Sequence, residues 1–342
     1  MSQAAGNAAA SPANDQYGVY LRSYLAPLTG MLGRADVTDI YVNRPGEIWA
    51  ETLGGAIERH DAPALDPATL DRLSRQIAAI AHQGISREHP LLSASLPDGA
   101  RVQIVAPPAT RGPMAIAIRK HVSPDLSLDD YVSSGAFDET KRADGSERAA
   151  EDRALSALLD AGDIAGLLSR AVKARRNILV AGGTSTGKTT FLNALLREIP
   201  AEERLILIED TPELHLRHAN AVGLIAARSA LGEAQVGAND LLSASLRMRP
   251  DRIILGELRG PEAFAFLRAV NTGHPGSMTS VHADSPEGAI EQIVLLALQA
   301  GTQLSRDDVR HYVASTVDVI VHLTRVAGKR RISQVLLSNR AG

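Results

Sequence analysis

The chain has 342 residues, 44% of them hydrophobic, which suits two cores better than one. Aromatics are only 3%, so those cores must be built from Leu, Ile, Val and Ala, and a formal charge of −3 gives no sign of a basic, sequence-specific nucleic-acid binder. Cysteine is absent, which excludes disulfides, thiolate catalysis and Cys-ligated zinc.

Residues 1–16 are small and polar, and disorder is expected there. No basic-then-apolar leader opens the sequence, and no apolar run is long enough to span a bilayer. The expectation is a cytoplasmic protein whose membrane contact, if it makes any, is peripheral. Residues 17–32 carry apolar side chains at helical spacing, interrupted at Pro27. Residues 36–61 read as short strands with turns at Pro45 and Gly46 and at Gly54 and Gly55. Asp66 and Pro67 then open a helix carrying Leu70, Leu73, Ile77 and Ile80, closed by Gly84. Residues 91–96, 101–105 and 114–118 read as strands, the first two joined at Asp98 and Gly99. The segment 17–121 is therefore expected to be a small α+β domain. Residues 122–153 are highly charged and read as a linker, a solvated loop.

The pattern changes within the second domain, 154–342. One amphipathic helix is expected from Leu155 to near Lys173. Strands at 177–181, 204–209, 221–226, 252–255 and 277–281 alternate with helices at 188–198, 239–247, 261–271 and 286–300. A strand pair at 317–324 and 329–337 follows. This alternation predicts a mostly parallel sheet flanked by helices, an α/β fold.

Four segments carry chemistry. Residues 182–189, GGTSTGKT, fit G-x-x-x-x-G-K-[ST] at every fixed position, between the apolar strand of Ile178, Leu179 and Val180 and a helix opening at Thr190. In this phosphate-binding loop the backbone of Gly182, Gly183, Thr184, Ser185, Thr186 and Gly187 turns its N–H groups toward phosphate, with Lys188, Thr189 and Thr190 at the helix start. Lys188 supplies positive charge to the β- and γ-phosphates of ATP, and Thr189 a hydroxyl for Mg²⁺. The segment RIILGELRG brings Glu257 to the end of a strand, where an acid activates water or holds the metal through water. General base is its expected role.

LILIEDTPEL similarly delivers Glu209 and Asp210 at a strand end, while Glu213 reads as a first-turn helix acid or as a functional acid. The metal-facing set is thus Thr189, Glu209 and Glu257. In GHPGSMTSVHA, His274 and His282 bracket a strand, but their spacing suits no metal, so His282 is read as a sensor of nucleotide state. An arginine for the transition-state charge is not identifiable from composition. Arg101 and Arg119 sit among apolar neighbours in strand-like segments, where a guanidinium needs a partner, and Arg247, Arg249 and Arg259 remain open.

These four segments, in this order, resemble the Walker A, acidic, atypical Walker B and His boxes of the secretion-superfamily ATPases. The stretches DVTDIYVNRPGEIW and HPLLSASLPDGARVQIVAPP resemble most closely the traffic ATPases of type IV secretion and conjugative DNA-transfer systems. The resemblance covers about residues 17–340. It implies an N-terminal domain followed by a RecA-like P-loop ATPase domain, assembled as a homohexamer, with nucleotide between the two domains of a subunit. It assigns Lys188 and Thr189 to Walker A, Glu209 to the acidic box, Glu257 to Walker B and His282 to the His box. It also makes Arg101 and Arg119 the N-terminal-domain arginines that reach the phosphates. The implied partners are the inner-membrane components and other ATPases of the apparatus, with the protein peripheral to the inner membrane. The missing cysteines depart from type II relatives that carry a four-cysteine metal module. The competing expectations are a pilus or type II-like secretion motor, a nucleic-acid translocase, against which sparse aromatics speak, and a nucleoside kinase, for which no base-binding lid is visible.

Overall fold

A computed structural model of the chain describes residues 18–121, 126–140, 145–227 and 232–338. The stretch 1–16 lies outside the described residues. Two units divide the chain, Met1–His121 and Val122–Gly342.

In the first unit a six-stranded antiparallel sheet is assembled from β1 (Val37–Val42), β2 (Gly46–Thr52), β3 (Ile57–Ala62), β4 (Leu91–Ser95), β5 (Arg101–Val105) and β6 (Ala115–Arg119), in the order β3-β2-β1-β6-β5-β4. The expected helix at Pro27 is split. α1 (Val19–Leu25) and α2 (Thr29–Gly33) flank a single 3₁₀ turn that contains the proline. α3 (Pro67–Ile80) starts where Asp66 accepts a hydrogen bond from the Thr69 amide at 2.7 Å. Its Leu70, Leu73 and Ile77 join Leu21 and Leu25 of α1 and Ile40, Ile48, Ile104 and Ile116 of the sheet in one core.

The second unit opens differently from the expected loop and single helix. α4 (Leu128–Ser133) carries a Ser127/Asp130 capping box, and α5 (Ser146–Asp160) runs through charged residues whose partners lie outside the helix. Arg170 meets Glu151 at 2.6 Å, and Arg176 meets Asp152 at 2.7 Å. The charge run thus braces a helix end. Helix continuity then fails at Gly162, which adopts φ +75°, and Asp163 caps α6 (Ile164–Lys173) by accepting from the Gly166 amide.

Beyond this lie β7 (Ile178–Gly182), α7 (Lys188–Leu195), β8 (Leu205–Glu209), β9 (Ala221–Ile225), α8 (Ala238–Ser245), β10 (Arg252–Leu255), α9 (Glu262–Asn271), β11 (Met278–Val281), α10 (Pro286–Leu298), α11 (Arg306–Thr316), β12 (Val319–Val326) and β13 (Lys329–Leu337). The sheet order is β13-β12-β7-β11-β10-β8-β9, parallel throughout except for the final β12–β13 hairpin. This is the α/β architecture the alternation predicts. Residues 301–316 show too little apolar periodicity to predict α11, which buries only Val309, Val313 and Thr316. None of the helices among the described residues is long and apolar enough to cross a membrane.

One buried ion pair anchors the edge of this sheet opposite the site. Arg252 is fully buried and donates from Nε and Nη2 to both Glu203 oxygens, at 2.6 and 2.7 Å, and from Nη1 to the Val172 carbonyl at 2.8 Å. A Cβ on Gly276, whose φ is +82°, would stand 2.6 Å from Arg252 Nη1, so the second glycine of GHPG is needed to admit the guanidinium. Removing one partner strands a buried charge. Glu203→Ala is expected to cost about 3–5 kcal/mol in urea unfolding, whereas a loss under about 1 kcal/mol would show that the pair is not holding this edge.

Candidate active site

Four adjacent strands, β7, β11, β10 and β8, aim their C-terminal ends at one cavity of about 390 Å³. This is where ligands of parallel α/β sheets bind. The loop after β7 is shaped by two left-handed residues. Ser185 has φ +63° and Gly187, which precedes α7, has φ +94°. Thr186 Oγ1 donates to the Gly183 carbonyl at 2.9 Å, closing the loop on itself. The loop leads straight into the N-terminus of α7, an arrangement suited to a phosphate chain.

Lys188 is held inside this loop. Only 10% of its side chain is exposed, and Nζ donates to the Gly182 carbonyl at 3.0 Å. Burial pushes its ammonium below the usual lysine value, and Glu257, 3.5 Å away, pulls in the opposite direction. Glu257 is fixed by the sheet on both sides of its strand end. The Gly256 amide donates to the Ile208 carbonyl at 2.8 Å, and the Leu258 amide to the Ser280 carbonyl at 2.8 Å. Gly256 also lets Glu209 pass, since a Cβ there would lie 3.1 Å from Glu209 Cγ.

The pairing of Val281 with Ala181 sets His282, the next residue, beside the phosphate loop. Its Nε2 lies 2.9 Å from Glu257 Oε1, at ion-pair distance but without the alignment of a hydrogen bond. Both ring nitrogens are 3.4 Å from Lys188 Nζ. Arg259 completes the cluster, bridging Glu257 Oε2 at 2.5 Å and Asp210 at 2.7 Å. Three cationic or potentially cationic groups therefore surround one carboxylate.

The other expected residues fall as follows. Gly183, Thr184, Ser185, Gly187, Thr189 and Thr190 line the cavity with Glu209, Asp210 and Glu213. Gly182 and Thr186 build the loop from behind. One Glu209 oxygen accepts the Glu213 and Leu214 amides, at 2.9 and 2.8 Å, so this acid fastens the turn that follows β8. Glu213 lies in that irregular turn and not in the first turn of a helix. His274 is at the far end of β11, partly buried, with Nδ1 2.8 Å from the Pro250 carbonyl, and burial pushes its imidazolium below the usual histidine value. It plays no part in the cavity.

Arg101 and Arg119 are direct cross-strand partners on β5 and β6, and both are exposed. Burial by apolar neighbours therefore does not by itself require a partner for either. Among the arginines of the second unit, Arg259 lines the cavity, and so does Arg330 on β13, for which no local motif exists.

No group of three or more His, Asp or Glu residues among the described residues forms a ready metal cage. Thr189, Glu209 and Glu257 line one cavity and offer only oxygen, the hard donor set that suits Mg²⁺ when phosphate oxygens and water complete its shell. The residues fit the ion in that shared form.

Known proteins resemble this chain over most of its length. Residues 148–338 match the family described as Type II/IV secretion system protein. The type IV secretion system protein VirB11 of Bartonella quintana is 39% identical over 324 residues, covering 91% of both chains. The VirB11 protein of Brucella suis is 43% identical over 306 residues, covering 88% of this chain and 84% of that one. The crystal structure of the VirB11 ATPase from the Brucella suis type IV secretion system, in complex with sulphate, superimposes with a TM-score of 0.84 at 39% identity, covering 93% of this chain and 98% of the other. The match of fold and these identities agree: the chain belongs to the Type II/IV secretion system protein family, among the relatives of the type IV secretion ATPases.

Proposed function

We propose that this chain hydrolyses ATP to ADP and phosphate as the subunit of a homohexameric motor, powering substrate transfer or pilus biogenesis in a type IV secretion or conjugation apparatus. The observation that carries the chemistry is that Glu209, Glu257 and His282 stand at or just past the ends of three neighbouring strands, and Lys188 opens α7 after the loop of the fourth, all around one cavity.

In this reading the loop amides from 183 to 187 and Lys188 bind the β- and γ-phosphates. Thr189, with Glu209 and Glu257 acting through water, would hold Mg²⁺, which neutralises phosphate charge. The attacking water forms a bond to the γ-phosphorus as the bond to the β,γ-bridging oxygen breaks, and Glu257 takes the water's proton. His282 touches both Glu257 and Lys188, so it feels whether phosphate has drawn the lysine away. Arg259 positions Glu257 by tying it to Asp210. The exposed pair of Arg101 and Arg119 is given nucleotide phosphate as its anion. The motor works in the cytoplasm, peripheral to the inner membrane, beside the other components of the apparatus.

Phosphate release from the purified full chain, combined with mass photometry, tests the proposal. Steady turnover with MgATP and a particle of six chain masses are expected, because head-to-tail contacts close into rings. Arg101→Ala and Arg119→Ala should each lower kcat by at least about 10-fold, the loss of a hydrogen bond to a charged group. A monomer at micromolar concentration with MgATP, or wild-type turnover in both arginine variants, would count against the respective part.

A further inference from the structure

The β12–β13 hairpin presents a concentration of positive charge that the proposed mechanism does not use. Arg325 and Arg330 are direct partners across the ladder, with Val326 paired to Lys329 at the tip. Arg325, Lys329, Arg330 and Arg331 are all exposed, and neither Arg325 nor Arg330 makes an ion pair with a described residue. Like charges directly opposite each other destabilise a ladder, so the Arg325–Arg330 pair costs the hairpin stability unless an anion lies across it.

The fold puts this pair beside the phosphate loop. β12 pairs in parallel with β7, Leu323 opposite Gly182, so the hairpin rises from the same end of the sheet. Residues directly opposite share a face and neighbours along the strand alternate. Arg325 and Arg330 therefore occupy one face, and Lys329 and Arg331 the other. The Arg330 face is the one turned to the cavity, which Arg330 lines together with Lys188, Glu257 and His282. Its stem fills the space a side chain at Gly187 would need: a Cβ there would stand 2.8 Å from Arg330 Cδ and 3.2 Å from Nε. The glycine preceding Lys188 thus serves two ends, its left-handed φ and the close passage of this arginine.

We infer that Arg330 is a direct ligand of the nucleotide's polyphosphate, an arginine supplied by the last hairpin of the same unit, with Arg325 reinforcing its field. The inference rests on the ATP-site reading above. A guanidinium offers a rigid fork of donors that pairs two phosphate oxygens at once, and Lys188 cannot do this from its buried position. The site would then grip phosphate from both sides of the loop.

The test is calorimetric binding of MgADP and of a non-hydrolysable ATP analogue to the full-length protein. Arg330→Ala should weaken both by about 10-fold or more, the expected loss for a hydrogen bond to a charged group. Arg330→Lys should recover part of the loss, since it restores the charge without the fork. Arg331→Ala, on the opposite face, should bind as wild type. The ligand-free melting temperature should not fall in any of the three, and in Arg330→Ala it should hold or rise because the like-charge pair with Arg325 is gone, which separates phosphate binding from a structural role. Inorganic phosphate should bind far more weakly than MgADP, marking the nucleotide as the source of the anion. Lys188→Ala serves as the reference. If it loses nucleotide while Arg330→Ala stays within about twofold of wild type, the hairpin contact is wrong and the ATP site stands. If wild type binds no nucleotide, both fall together.

Discussion

Lys188→Ala is expected to abolish steady ATP hydrolysis, with kcat falling by at least about 10³-fold, the upper range for removing one preorganised electrostatic group or more. The geometry explains why nothing nearby can substitute. The ammonium is buried in the loop and held by the Gly182 carbonyl, 3.5 Å from Glu257 and 3.4 Å from His282. Burial already disfavours its charge. An incoming triphosphate would offer far more negative charge than Glu257 alone, so the lysine gains most when nucleotide binds and more still as charge develops on the γ-phosphate. Alanine forfeits both gains, so ADP affinity should drop along with kcat. The variant also frees Glu257 from one of its cations, which cannot restore the lost phosphate contact. Phosphate release under saturating MgATP, with circular dichroism to confirm folding, measures the effect. Normal turnover in this variant would refute the phosphate-loop assignment outright.

The parts of this site that are legible in the sequence are those whose signal is local. An apolar strand followed by GGTSTGKT, by GEL or by an acid pair announces itself within ten residues, and so does the strand ending in His282. Which strands are neighbours is not local. That β7, β11, β10 and β8 lie side by side, and so bring four separate boxes to one cavity, follows only from the folded sheet. Arg330 escapes notice for the same reason. Lys329, Arg330 and Arg331 open the expected strand 329–337, and only when β12 is laid against β7 does Arg330 come to the phosphate loop. Glu209 shows a different limit, because its backbone partners at 213 and 214 depend on a turn that no pattern specifies. Two helix starts carry local signals of their own. The GD pair at 162 and 163 is a helix stop followed by an N-cap, and Ser305 with Asp308 is a capping box heading α11. In the first unit the strands were readable from β-branched runs and turns. The exposure of Arg101 and Arg119 was not, because both close strand ends whose other residues are buried.

Glu257→Gln is expected to retain nucleotide and to hydrolyse it about 10²–10⁴-fold more slowly, the usual loss for a general base. The two side chains are nearly isosteric, and the position is set by backbone pairing of Gly256 and Leu258, so the loop and cavity keep their shape. Affinity for ATP should be maintained or rise, because the change deletes a negative charge beside the phosphates. What glutamine cannot do is accept the proton of the attacking water. In the structure described, that acceptor is not yet presented. Oε2 is held by Arg259 at 2.5 Å, and Oε1 faces His282 at 2.9 Å and Lys188 at 3.5 Å. On the proposed reading, a bound triphosphate would compete for Lys188 and open the approach to Oε1, so that the base would become available only with its substrate in place. Such an ordering would guard against idle proton transfer and give His282 a contact that changes with nucleotide state. Asp210, 2.7 Å from Arg259, is untouched by the substitution, so the positioning arginine should not be set adrift. The decisive measurement is single-turnover hydrolysis together with equilibrium binding. Slow chemistry with intact binding is the expected split. A loss of only about twofold would move the base to Glu209 or to another group of the cavity, and lost binding would mean that Glu257 shapes the site and does not act on water.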